Sequence, residues 1–341
     1  MKNPKFKLLL GFGFGILFFI CIWYGSLIQY GLQSAYGQFR ILLLAESNNK
    51  ILSSQKWTAE QKRKIRLIEN VKRFGVYQLG LIDNGNFEKV FDQKGKPLVW
   101  VVTGCKPYSF EDKKWYFPFI GNLSYKGFFT WEEAKKEAIQ LKLEGWESGI
   151  GKVSGWSTLG WFHDPILSSM LTKEDGSLVS LILHEMVHGT VYLGSDVDYS
   201  ENLADFIGNN GAIAYFKFKK DTTNLKKFEK TLFAERLVNT YYINYKDSLT
   251  KLYKTIASQD LEKEKRKAFQ KIYKGLFLLP IPNNEKLKYI KGGKYLYWEG
   301  NDFLMGFSRY GKLQDSLEKS FNATYRGNLR LYLEEIKKRA N

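Results

Sequence analysis

Two of the chain's three histidines stand four residues apart in the pentapeptide His184-Glu185-Met186-Val187-His188, and this spacing constrains the fold more than any other feature. Positions i and i+4 share a face of an α-helix, so both imidazoles can reach one metal ion. Glu185, next to the first histidine, can then act as general base toward an attacking water. The neighbouring apolar residues predict that this helix is anchored in a core, which would keep the ligands rigid: Leu178, Leu181, Ile182 and Val191.

A catalytic zinc site uses three protein ligands and leaves a fourth position open. Glu201 stands thirteen residues after His188, where Asp198 or Ser200 would cap a second helix. Asp205 is four residues further on and shares a helical face with Glu201, which suits a carboxylate that accepts the free N–H of a zinc-bound imidazole. The two helices together predict one Zn²⁺ per chain, held by the two histidines and Glu201.

Simpler interpretations of the same residues stay open at this point. The two histidines could be ordinary residues of an ordinary helix. Glu201 could favour a helix dipole or be the far end of an Asp198-x-x-Glu201 capping box, and Asp205 could belong to a solvated face.

Attack of a metal-bound water on a carbonyl group also needs a group that stabilises the oxyanion, usually a Tyr or His donor. Tyr199, Tyr192 and Tyr125 are candidates because they lie near the motifs, among 21 tyrosines. His163, beside Asp164-Pro165, is another candidate, with a structural role as the alternative. The segment from Lys152 to Thr158 is a candidate edge strand for pairing with an extended substrate, or else an ordinary core strand.

An uncharged apolar run of 21 residues, 8–28, is long enough to cross a hydrocarbon core of about 30 Å. Three lysines within residues 1–7 precede it, so the positive-inside rule places this basic tail in the cytoplasm and the rest of the chain outside. A cleaved signal peptide and lipoprotein attachment at Cys21 are the alternatives. No A-x-A-like site follows the run, and Ile20 precedes the cysteine where a small residue is usual. We therefore expect an uncleaved transmembrane helix.

Local patterns beyond the run predict an α+β fold that is mostly helical, with a small sheet. Residues 29–86 have helical spacing, and residues 98–103 form a β-rich run. A capping-box pattern at Thr130 predicts a helix that ends near Gly145. Almost everything after Gly208 reads as lysine-rich amphipathic helix.

The chain carries 52 Lys and Arg against 35 Asp and Glu, a formal charge of +17. This balance suggests an anionic neighbour, such as lipid headgroups or an envelope polymer, with a solvated lysine-rich surface as the simpler interpretation. The sequence has no nucleic-acid-binding motif, and its basic residues are spread over several helices, so we expect no nucleic-acid partner. Two cysteines are too few for a disulfide framework or a cysteine-rich zinc module.

Several stretches carry a resemblance to a known family: FPFIGNLSYKGFF (117–129), GWSTLGWFHDPILSSML (155–171), LILHEMVHGTVYLGSDVDYSENLADFIG (181–208) and, more weakly, YGLQSAYGQFRILL (30–43). They resemble the bacterial family of predicted aminopeptidases. The combination of H-E-x-x-H with E-x-x-x-D is similar to the gluzincin zinc peptidases, the thermolysin-type clan.

The resemblance implies a zincin-like metallopeptidase domain over 30–341, with zinc bound by His184, His188 and Glu201 and with Glu185 catalytic. It also implies an envelope protein, since many members are envelope proteins and often lipoproteins. This chain departs from the pattern in two places. Cys21 lacks a good lipobox, and His163 stands where the family tends to have an acidic residue.

The function we expect is that of a membrane-anchored zinc peptidase, in particular an aminopeptidase. Its catalytic domain would face the periplasmic side of the bacterial envelope. Its partners would be a peptide or protein substrate, the membrane, and anionic lipid or an anionic envelope polymer. The alternative is a non-catalytic envelope protein that keeps the fold as a docking scaffold. The presence of Glu185 argues against that alternative, because a structural metal site has no need of this carboxylate.

Overall fold

The computed structural model describes residues 25, 29–117, 121–152, 163–191, 197–283, 286, 300–311 and 313–340. The chain forms two compact units, Met1–Leu44 and Ala45–Asn341. The described part of the first unit is essentially one helix, α1, over residues 29–44. Among the described residues no helix is long and apolar enough to cross a membrane. The predicted anchor over 8–28 lies outside them, apart from Gly25.

The second unit begins with short strands and two helices and continues into a region of strands around one helix. In chain order the first group is β1 (Glu46–Ser47), α2 (Asn48–Ser53), α3 (Ala59–Phe74), a π-helical turn (Gly75–Leu79) and β2 (Lys89–Phe91). The second group is β3 (Trp100–Cys105), β4 (Trp115–Phe117), β5 (Gly121–Leu123), β6 (Tyr125–Phe128), α4 (Trp131–Leu143), β7 (Glu147–Lys152) and β8 (Ile166–Leu167).

The rest of the second unit is helical: α5 (Asp175–His188), α6 (Val197–Phe218), α7 (Thr222–Thr255), α8 (Leu261–Leu276), α9 (Gly300–Gly311), α10 (Gln314–Tyr325) and α11 (Leu329–Ala340). The helices expected after Gly208 are therefore present in the described part of the chain. The helical pattern over 29–86 is interrupted by β1, and the strand expected at 98–103 lies two residues further on, as β3.

The main sheet has the strand order β6-β3-β7 and is antiparallel throughout. Val102 lies in the middle of β3, is fully buried and pairs with Ile150 of β7. A second small sheet has the order β1-β2-β8, with β2 and β8 parallel. The helix α4 connects β6 to β7. It begins where the Thr130 side chain accepts the Glu133 N–H, as its sequence predicts.

The C-terminal helices form a core of their own around Tyr242 of α7, which is fully buried and stacks on Phe307 of α9 at 4.2 Å between ring centroids. Two buried polar residues at the start of α9 tie this core to the main sheet. The Asn301 N–H donates to Glu147 Oε2 at 2.7 Å, and Asp302 Oδ2 accepts from Thr103 at 2.8 Å. The C-terminal half is therefore joined to the sheet through polar contacts.

The start of α5 is held by a partly buried ion cluster between Asp175 and two basic residues of α3. Arg63 donates to both carboxylate oxygens of Asp175, at 2.8 and 2.6 Å, and Lys64 donates to the same carboxylate. The Lys64 ammonium is buried and also donates to the Lys173 carbonyl at 2.6 Å. Burial acts to raise the pKa of Asp175, but the hydrogen bonds from Arg63 and Lys64 outweigh it and hold that pKa below its ordinary value.

We expect Asp175→Asn to lower the free energy of unfolding by about 3 kcal/mol at pH 7, because it removes the closest anionic partner of the buried Lys64 ammonium and leaves only the exposed Glu60 carboxylate, 3.7 Å away. A depressed carboxylate pKa contributes stability above the unfolded-state value, near 3.8, and loses it as the pH falls below that value. The difference between wild type and variant should therefore shrink at pH 3. Urea denaturation, monitored by tryptophan fluorescence, measures the free energies of unfolding of both proteins at the two pH values. Equal midpoints at pH 7 would refute this role of Asp175.

Candidate metal centre

The helices α5 and α6 approach each other closely where two glycines of α6 face α5. A Cβ atom at Gly208 would lie 2.7 Å from the Ser180 carbonyl oxygen and 3.2 Å from the Cβ of His184. A Cβ at Gly211 would lie 2.7 Å from a methyl group of Leu183. A larger residue at either position would push the helices apart. The glycines thus let α6 lie directly on the α5 face that carries His184.

Cross-contacts along the two helices show that they run antiparallel. Ser180 near the start of α5 donates to Asn209 of α6 at 2.7 Å. Further along α5, His184 contacts Asp205 and His188 contacts Glu201, and both of these partners precede Asn209 on α6. This pairing brings the carboxylates of α6 over the two histidines of α5.

The donor atoms of His184, His188 and Glu201 all lie within 4.8 Å of one another. The two Nε2 atoms are 3.0 Å apart, and they lie 3.7 Å (His184) and 3.4 Å (His188) from Glu201 carboxylate oxygens. Ligands bound to zinc at 2.0–2.1 Å in tetrahedral geometry are about 3.3 Å apart. The three distances bracket that value, although the two histidines face different oxygens of the Glu201 carboxylate, so the donor types and their spacing fit a zinc ion.

Asp205 contacts the other ring nitrogen of the first histidine. Its Oδ1 atom is 2.8 Å from His184 Nδ1, so an Nδ1–H donates to the carboxylate and the Nε2 edge of the ring faces the other donors. Burial acts to lower the pKa of His184, but Asp205 outweighs it and raises that pKa to about 9. Burial, together with the neighbouring His184 charge, lowers the pKa of His188 to about 4.

Glu185 lies beside the ligands on α5 and is half-buried. Burial raises the pKa of its carboxyl to about 7, with the nearby Glu201 and Asp164 adding to the shift and His184 opposing it.

Of the three candidate tyrosines, the structure describes Tyr199 and Tyr125. Tyr199 is two positions before Glu201 on α6, hence about 200° around the helix. Tyr199 lies near Tyr332 instead. The pKa of Tyr332 is raised mainly by burial and, to a smaller extent, by Tyr199. Tyr125 is on β6, the strand on the far side of β3 from β7. Tyr192 lies outside the described residues.

The remaining site predictions have mixed outcomes. Asp198 and Ser200 do not cap α6, because the helix already includes Val197. Lys152 ends β7, which lies at the edge of the main sheet in the described part of the chain. The rest of that predicted substrate strand, through Thr158, lies outside the described residues. His163 is exposed and lies against Gly85.

Two residues near the centre were not singled out by sequence reasoning. Asp164 is 2% exposed, its N–H donates to Asn86 Oδ1 at 2.8 Å, and its charge acts on Glu185. Asn202, next to Glu201, accepts the Leu313 N–H at 3.2 Å through its side chain and so ties the ligand-bearing turn to the C-terminal helices. Neither residue has a spacing signal, because its partners are far away in the sequence.

A family model described as "Putative aminopeptidase" matches residues 29–341. The matched range contains the whole second unit, including His184, Glu185, His188, Glu201 and Asp205. No curated protein matches the chain, and no solved structure matches it.

Proposed function

The chain belongs to the family described as "Putative aminopeptidase", and from that premise we propose that it hydrolyses peptide bonds with a zinc ion held by His184, His188 and Glu201. The observation that carries the proposal is the convergence of one donor atom from each of these residues within 4.8 Å. Two imidazoles and one carboxylate are a common ligand set of catalytic zinc sites. The Glu185 carboxylate beside them is the group that a purely structural site would not need.

A zinc ion at this site would lower the pKa of a bound water and polarise the scissile carbonyl. Glu185 would accept the proton of the attacking water and deliver it to the leaving amine. Asp205 would hold the Nδ1 proton of His184 and thereby keep the Nε2 atom of that ring available as a ligand.

The family description supports the removal of N-terminal residues as the specific activity. An aminopeptidase recognises the free α-amine of its substrate, so blocking that amine should abolish cleavage. The test is to incubate the zinc-loaded chain with matched peptides whose N-termini are free or acetylated. We expect cleavage of the free peptides at the first bond only. Equal cleavage of both forms at internal bonds would show an endopeptidase instead.

The expected location is the cell envelope. The apolar run over 8–28, with lysines before it, supports a membrane anchor whose catalytic unit lies outside the cytoplasm. A reporter fused to the C-terminus would test this, because reporters active only outside the cytoplasm should be active in the fusion.

We expect Asp205→Asn to weaken zinc affinity by about 10- to 100-fold, because loss of the carboxylate leaves the His184 ring less well oriented and less basic. Competition with a chromogenic chelator at pH 7 measures the affinity. Ser180→Ala is the matched control: it removes another hydrogen bond between α5 and α6, to Asn209, and should leave zinc affinity within about twofold. Wild-type affinity in Asp205→Asn would show that the carboxylate does not support the ligand.

A further inference from the structure

Four lysines of α8 form a single exposed row, which we call the lysine face: Lys263, Lys267, Lys271 and Lys274. At about 100° per residue these positions fall within an arc of about 80°. Glu264, beside the row, pairs with Lys267 at 2.7 Å, and Glu262 pairs with Arg266 at 2.8 Å. The two acidic residues of the helix are thus both engaged by basic ones, and the face as a whole is cationic.

The opposite side of α8 is buried and fixes how the lysine face is presented. Phe269, Ile272 and Leu276 belong to the core around Tyr242. Ile272 is also tied to α7, because its carbonyl accepts the Tyr241 hydroxyl at 2.5 Å. The helix cannot turn its lysines inward without exposing this core, so the row faces solvent permanently.

Two apolar side chains are exposed directly after the end of the lysine face, and we call them the apolar tip: Phe277, 47% exposed, and Leu278, 85% exposed. Leu278 is the most exposed large apolar side chain in the described part of the chain. The backbone there is held in place. The Leu278 N–H donates to the Gly275 carbonyl at 3.0 Å, and the buried Lys286 ammonium donates to the Phe277 carbonyl at 2.7 Å.

We propose that the lysine face and the apolar tip together dock on an anionic lipid surface. A row of lysines is attracted to anionic headgroups, by about fivefold in binding per residue near the surface. Apolar side chains at the end of such a row gain by entering the boundary between headgroups and acyl chains. A soluble anionic polymer would use the lysines but offer no apolar layer to Phe277 and Leu278. This proposal does not depend on the zinc site or on peptidase activity.

The experiment uses the full chain in vesicles and measures, by fluorescence, whether the apolar tip enters the lipid. An environment-sensitive fluorophore is attached at Leu278→Cys, in a background with Cys21→Ser; the other cysteine, Cys105, is buried. The matched control is a probe at Leu143→Cys, a similarly exposed leucine (78%) at the end of α4 in the second unit. Both proteins are placed on phosphatidylglycerol or phosphatidylcholine vesicles that contain a lipid-borne quencher.

We expect the probe at 278 to shift to the blue and to be quenched on phosphatidylglycerol, whereas the probe at 143 stays in water. Lys271→Gln with Lys274→Gln should lower the ratio of docked to undocked protein about 30-fold. The control pair Lys226→Gln with Lys230→Gln, which removes the same charge from α7, should leave it unchanged. Equal signals at 278 and 143 would overturn the proposal. The proposal would also be overturned if a soluble polyanion without lipid gave the same blue shift of the probe at 278. The same holds if the signal at 278 did not change in the Lys271→Gln, Lys274→Gln variant.

Discussion

Replacement of Glu185 by Gln is expected to lower kcat by about 10³- to 10⁴-fold while the protein keeps one zinc ion per chain. General acid–base catalysis contributes up to about 10⁴-fold, and this carboxylate would act twice, on the attacking water and on the leaving amine. The amide fills the same space but cannot accept the proton. Because Glu185 is not one of the three converging donors, the metal content should not change.

The measurement for Glu185→Gln is kcat on the best peptide substrate together with elemental analysis of the same preparation. Glu174→Gln is the matched control, since Glu174 lies at the other end of α5, is exposed and pairs with Lys227 on the surface. It should change kcat by less than about twofold. A Glu185→Gln variant with wild-type kcat would exclude this carboxylate as the base.

Replacement of Glu201 by Ala is expected to weaken zinc binding by more than about 100-fold and to abolish activity with it. Loss of a group that only orients a ligand costs about 10- to 100-fold in affinity, so loss of a ligand should exceed that range. The variant should fold, because the Glu201 side chain is 30% exposed and the packing of α6 on α5 rests on Gly208 and Gly211.

Zinc titration with a competing chelator measures the Glu201→Ala affinity, and circular dichroism checks that the helices remain. The comparison with Glu185→Gln is the sharpest control, because the two glutamates should separate the functions: one variant loses the metal, the other loses only the chemistry. Zinc bound to Glu201→Ala with wild-type affinity would remove this residue from the ligand set.

The part of the site that is local in sequence could be predicted. The spacing of His184 and His188 requires one helical face, and the spacing of Glu201 and Asp205 requires another. The structure places all four side chains in contact across α5 and α6. Their roles as ligands and as support for a ligand stay predictions until a metal is measured.

The parts that depend on contacts between distant segments could not be predicted. Nothing in the local pattern shows that Gly208 faces Ser180, or that Asp164 lies close enough to Glu185 to raise its pKa. The basic residues also looked evenly spread along the helices. Only the burial of one side of α8 reveals that four of its lysines share the side that faces solvent.

Cleavage of a mixed peptide library tests the central claim most directly, with the zinc-loaded wild-type chain and Glu185→Gln compared side by side by mass spectrometry. The account predicts one zinc ion in each protein, removal of N-terminal residues by the wild type, and intact peptides with the variant. Identical peptide patterns from both proteins would contradict it, as would a folded wild-type chain, never exposed to chelator, that binds no zinc.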